Sequence, residues 1–155
     1  MKYFLTTLTF LLFFNGCSYN NAYTKFNMSN EEELFASNTQ SSKIESKNGI
    51  DGVFTAIYLN NVYKNREEYK NSENFLIVVY IKEGSEDFTF QLNGNYHLKV
   101  EVLASKNRFT KVLKSTKEWE TYYLVKFKKQ AKELNLLLSG EESSSVVLHY
   151  QKESK

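Results

Sequence analysis

Residues Phe75–Ile81, FLIVVYI, are apolar throughout and rich in β-branched and aromatic side chains. The run is too short for a buried helix, and a strand apolar on both faces must be covered on both. It therefore predicts a central strand with a packed layer on either side. From Ile50 onward further strand-like runs recur about every ten residues, each closed by turn residues.

Val53–Asn60 is the first of these runs. The polar stretch 61–74 reads either as a long connection or as a short helix around Arg66–Lys70. After a turn at Gly84-Ser85-Glu86, Phe88, Phe90 and Leu92 alternate with polar residues up to Asn93-Gly94, a strong hairpin signal. The returning strand sets Tyr96, Leu98, Val100 and Val102 against His97, Lys99 and Glu101. Phe109–Leu113 reads as a weaker strand. Trp119, Thr121, Tyr123, Val125 and Phe127 then alternate with Glu120, Tyr122, Leu124 and Lys126. Ala131–Leu138 contains good helix formers but ends at a Ser139-Gly140 turn, which favours a strand, and Val146, Leu148 and Tyr150 alternate again. The pattern predicts an all-β fold: an antiparallel β-sandwich, immunoglobulin-like or transthyretin-like, of about seven to nine strands.

The amino terminus has a different character. Met1–Cys17, MKYFLTTLTFLLFFNGC, carries one early charge (Lys2), an apolar run from Phe4 to Phe14, small Gly16 and the chain's single cysteine. That order is a secretory signal peptide. A transmembrane helix needs about 20 apolar residues, more than this run has. An exported chain with one thiol cannot close an internal disulfide, so Cys17 needs another use. Phe14-Asn15-Gly16-Cys17 resembles the lipobox of bacterial lipoproteins, and the resemblance implies cleavage before Cys17 and lipidation of its thiol. Two or more acyl chains anchor a protein stably. Ser18, where an aspartate would favour inner-membrane retention, implies the outer membrane by the Gram-negative sorting rule. In layout the chain resembles the small envelope lipoproteins of Gram-negative bacteria.

The division that follows is residues 1–16 as signal peptide, 17–49 as a lipid-anchored flexible tether, and 50–155 as the sandwich. The tether is rich in Asn and Ser and has little apolar periodicity. Within it Ser29 and Glu32 form a capping-box pattern before Leu34-Phe35, although an isolated turn or two is marginal in water. A flexible stretch of roughly 30 residues spans about 30 Å and would hold the folded body off the membrane.

Motifs for catalysis are missing: there is no G-x-S-x-G, Walker A loop, H-E-x-x-H or dinucleotide fingerprint. His97 and His149 fall on polar-facing strand positions, with no spacing that assembles a metal site. No cofactor is implied. No strong polyanion affinity follows from the formal charge of +2, yet its distribution is uneven. Lys99–Lys132 carries net +7, and Glu67–Asp87 carries net −4. Lys106, Arg108, Lys111, Lys114, Lys126 and Lys128 are therefore a candidate patch for an anionic partner. The competing reading is edge and turn lysines that deter sheet-to-sheet pairing, with the two charged segments facing each other in the fold. Trp119, beside Tyr122 and Tyr123, could form an aromatic rim, but by parity it shares the face of Val125 and Phe127, which predicts core packing.

Two functional expectations result. One is a non-catalytic, lipid-anchored interaction or assembly module with an envelope protein partner and no nucleic acid. The other is an envelope ligand-binding protein or hydrolase using His97 and the basic 106–132 region. It requires an imidazole within hydrogen-bond reach of a carboxylate.

Overall fold

The computed structural model describes residues 28–82, 87–113, 117–130, 132–141 and 144–152. Cys17, Lys114 and the 84–86 turn lie outside these residues. The described chain forms α1 (Asn30–Ser37), β1 (Thr39–Ser46), β2 (Gly49–Tyr58), α2 (Leu59–Val62) and a 3-10 turn at Glu67–Tyr69. Then follow β3 (Ser72–Ile81), β4 (Thr89–Leu92), β5 (Asn95–Tyr96) and β6 (Lys99–Leu103). The last elements are α3 (Thr110–Leu113), β7 (Glu120–Lys128), β8 (Glu133–Ser139) and β9 (Val146–Gln151).

The strands make two antiparallel sheets, one five-stranded in the order β1-β2-β3-β7-β6 and one four-stranded in the order β5-β4-β8-β9. The architecture is the expected all-β sandwich. Its strand order differs from the ABED and CFG sheets of the immunoglobulin fold.

The FLIVVYI run lies in β3, the middle strand of its sheet, and is covered on both faces. Phe75, Ile77 and Val79 point between the sheets, packing with Phe54, Tyr58, Val125, Phe127, Leu136 and Tyr150. Leu76 and Val78 point the other way, into a second core with Phe35, Leu59, Val62, Tyr69 and Phe109. Short helices therefore roof the outer face of the five-stranded sheet. Each large apolar side chain so buried contributes on the order of 1.5–3 kcal/mol.

That roof moves the start of the folded body upstream. Residues 30–46 were expected in the tether, but they form α1 and β1. Ser29 accepts from the Glu32 N–H at 3.3 Å and Glu32 accepts from the Ser29 N–H at 2.7 Å, completing the capping box. Tertiary burial supplies what an isolated turn lacks: Phe35 packs edge-on to Tyr63 at 5.9 Å and against Phe109 at 6.3 Å.

Three further expectations are corrected. The Asn93-Gly94 turn forms, with both residues at positive φ (50° and 76°), but the strand after it does not stay with β4. Only β5 pairs there; residues 99–103 cross to the other sheet and pair with β7. One bent segment thus serves both sheets, and Tyr96, Leu98 and Val102 are left exposed. Phe109–Leu113 is not a strand, because Asn107 starts a turn. Its Oδ1 accepts from the Phe109 N–H at 2.9 Å, and Thr110 Oγ1 donates to its carbonyl at 2.8 Å. Trp119 is 64 % exposed rather than in the core, because it lies in the turn before β7, where strand parity does not apply.

Candidate interaction site at the seam between β1 and β9

β1 and β9 are each the last strand of their sheet, and they lie side by side along one edge of the sandwich. At one end the Ser144 N–H donates to the Glu45 carbonyl at 2.7 Å. At the other the Gln40 carboxamide donates to the His149 carbonyl and accepts from the His149 N–H at 3.2 Å. Gln40 opposite His149 and Glu45 opposite Ser144 is the register of an antiparallel pair. The backbone ladder between these two ends is not made, and β1 and β9 remain in separate sheets.

The gap is a cleft of about 540 Å³, with Ser41, Ser42 and Lys43 on one wall and Ser145, Val146 and Val147 on the other. Both backbone groups of His149 point at β1, so the two-residue alternation of a strand aims those of Val147 into the cleft. Hydroxyls and open main-chain groups suit an extended polypeptide, which recognises a sheet edge by main-chain hydrogen bonds. Gln40 already imitates such a segment, since its side-chain amide holds a backbone donor and a backbone acceptor of β9 together.

At the closed end of the sandwich a charged network secures the last described residues. Glu73 is buried in β3, where its carboxylate accepts from Tyr58 Oη at 2.6 Å, the Gln130 N–H at 3.0 Å and Lys152 Nζ at 2.5 Å. Burial pushes its pKa up; the Gln130 N–H, Lys152 and Tyr58 outweigh burial and hold the carboxyl below its ordinary value. Burial and the same carboxylate push the Tyr58 phenol far up. This network ties Lys152 to the start of β3, and the carboxylate oxygens are occupied by protein groups.

The described basic candidates divide between the two ends of the β6–β7 pair. Leu103 faces Tyr122 and Lys99 faces Lys126, so the loop carrying Lys106, Arg108 and Lys111 leaves at the opposite end of the β6–β7 pair from Lys126 and Lys128. The separation along β7 is about 13 Å, at roughly 3.3 Å per residue. Arg108 is also engaged locally: it lies 3.5 Å from Glu68, donates to Tyr69 Oη at 2.9 Å and covers the Phe109 ring at 4.7 Å. With Lys129 4.0 Å from Glu73, the acidic and basic segments meet face to face in part.

The imidazoles are held by neutral groups. His149 Nδ1 is 2.7 Å from Asn135 Oδ1, and His97 Nδ1 is 3.4 Å from the Phe90 carbonyl. Among the described residues no group of three or more His, Cys, Asp or Glu could hold a metal ion, and no helix is long and apolar enough to cross a membrane.

Sequence reasoning missed the seam because β1 reads as polar tether. One signal for it was present: Lys47-Asn48 closes the β1–β2 hairpin as a two-residue turn, followed by Gly49 at φ 117°. No protein-family model, no curated protein and no solved structure matches the chain.

Proposed function

We propose that this chain is a lipid-anchored envelope lipoprotein acting as a non-catalytic interaction module, and that the seam between β1 and β9 accepts an extended segment of a partner protein. The observation that carries this reading is the unzipped register itself. Two edge strands lie antiparallel and aligned, joined only at the ends of a Ser-lined cleft. A partner strand entering there completes main-chain hydrogen bonds along both walls and displaces the Gln40 side chain at one end and the Ser144–Glu45 backbone bond at the other. The lipobox-like FNGC at 14–17 supports the anchored part of the proposal. Cys17 would carry the lipid and keep the module at the outer membrane.

The test is site-specific photocrosslinking in cells with the full chain. A photoreactive residue at Ser42 or Ser145 is expected to give a discrete adduct with one protein. The same probe at Thr121, exposed on β7 at the other side of the molecule, is expected to give none. Equal labelling at all three positions, or none at the seam, overturns the proposal.

A further inference from the structure

The sandwich has four edge strands, and three of them are accounted for. β1 and β9 hold each other across the seam, and β5 is only two residues long. β6 pairs with β7 on one side, and its other side carries no ladder among the described residues. Lys99 and Glu101 lie on one face of β6, joined at 2.9 Å, and both are largely exposed. On the other face Val100 packs against the inter-sheet core, but Val102 is 66 % exposed and Leu98, just before the strand, 64 %. Nothing of the four-stranded sheet covers them, because β5 stops at Tyr96.

We infer that β6 is a self-complementary edge whose partner is β6 of a second copy, paired antiparallel about a two-fold axis at Val100. With Val100 opposite Val100 of the second copy, each Lys99 falls opposite a Glu101, and each Leu98 falls opposite a Val102. Charge thus meets opposite charge on one face, and exposed apolar meets exposed apolar on the other. No shift by one residue does this: centring the pair on Glu101 would set two glutamates against each other. Within its own sheet Lys99 lies opposite Lys126, so an acid arriving on its free side relieves a like-charge contact. A lone edge lysine deters sheet-to-sheet addition. A lysine and a glutamate two residues apart instead admit one register and one partner.

The edge is short, so the dimer is weak and grows in at the high local concentration that attachment to a surface provides. It uses the side of the sandwich opposite the seam and does not depend on the seam being occupied.

Sedimentation equilibrium of the purified full chain tests this. The parent is expected to show a concentration-dependent monomer–dimer equilibrium. Lys99→Glu alone and Glu101→Lys alone should each weaken association at least about tenfold, because each places like charges opposite one another twice in the symmetric pair. The double exchange Lys99→Glu with Glu101→Lys should restore it, and mixing the two single variants should give a heterodimer. Both side chains are exposed, and unchanged melting temperatures will show that the variants fold. A parent that stays monomeric up to about millimolar concentration, or a dimer indifferent to the single exchanges, overturns the inference.

Discussion

Glu73 and Lys152, separated by 79 residues in sequence, meet at 2.5 Å at the end of the sandwich. The carboxylate is completely buried, while the ammonium retains partial access to water and also donates to the Gln130 carbonyl at 2.6 Å. The pair joins the start of the central strand to the segment that follows the last one. Removing the acid strands a partly buried cation, Tyr58 Oη and the Gln130 N–H. Glu73→Ala should therefore cost about 3 kcal/mol of stability, read by urea unfolding, and Lys152→Ala a comparable amount. Glu73→Gln should retain part of the loss-free packing but not the ion pair, and fall between.

The same carboxylate sets the acid limb. Its pKa is lowered in the folded protein, so its contribution is complete above the unfolded carboxylate range near pH 4.5 and is lost as pH falls through the lower folded value. Unfolding free energy followed from pH 6 to pH 2 should decline over that window in the parent. In Glu73→Gln the decline should be shallower.

The alkaline limb belongs to the phenols. Burial raises Tyr58, Tyr63 and Tyr150 well above the ordinary tyrosine value, and pushes Tyr69 up to about 12, against the pull of the neighbouring Arg108 guanidinium. Raised folded values mean that their stabilising share is full below about pH 10 and disappears as pH rises above it. Spectrophotometric titration at 295 nm should show these phenols ionising late, together with the loss of tertiary signal. Complete ionisation near pH 10 with the fold intact would contradict this.

Gly52 of β2 lies close against the backbone of β3. A Cβ built there would lie 2.1 Å from the Tyr80 carbonyl oxygen, a backbone atom that cannot swing aside. Gly52→Ala should cost about 3 kcal/mol, at the upper end of ordinary overpacking, whereas Gly49→Asn meets no neighbouring atom and should cost about 1–2 kcal/mol, from the strain of a side chain at φ 117° alone. Thermal unfolding of the two variants side by side makes the comparison.

Gln40 holds one end of the seam. Gln40→Ala removes both bonds to His149 and should lower stability by only about 1 kcal/mol. The His149 amide should nevertheless lose its protection from hydrogen exchange, while amides within the β8–β9 ladder keep theirs. Unchanged protection at His149 would mean that its amide is shielded by something other than the Gln40 side chain.

How much of this was legible follows the burial. FLIVVYI specified a doubly covered central strand because its first five residues, Phe75 to Val79, are all buried, on alternating faces. β9 was readable from Val146, Leu148 and Tyr150, and β8 from Leu134, Leu136 and Leu138 together with the Ser139-Gly140 turn that decided against a helix. β1 was not, because an edge strand with Ile44 as its only buried apolar side chain differs little from a polar linker. Residues 95–103 misled for a different reason: their period-two pattern is genuine, but no local signal states that the chain changes sheets at His97 and Leu98. Asn107 turned Phe109–Leu113 into a helix through three side-chain and backbone bonds that composition does not display. The seam was hidden for the same reason as β1, since it consists of two strands arriving in register from opposite ends of the chain.

The fate of Cys17 decides whether the module is anchored. Membranes and soluble fractions from cells expressing the full chain and its Cys17→Ser variant should be compared, with the mass of the mature amino terminus measured in each. The parent is expected in the membrane fraction with a cysteine heavier by its acyl groups, and the variant in the soluble fraction. A variant that stays with the membrane as fully as the parent, or a parent cysteine of unmodified mass, would contradict the anchored module.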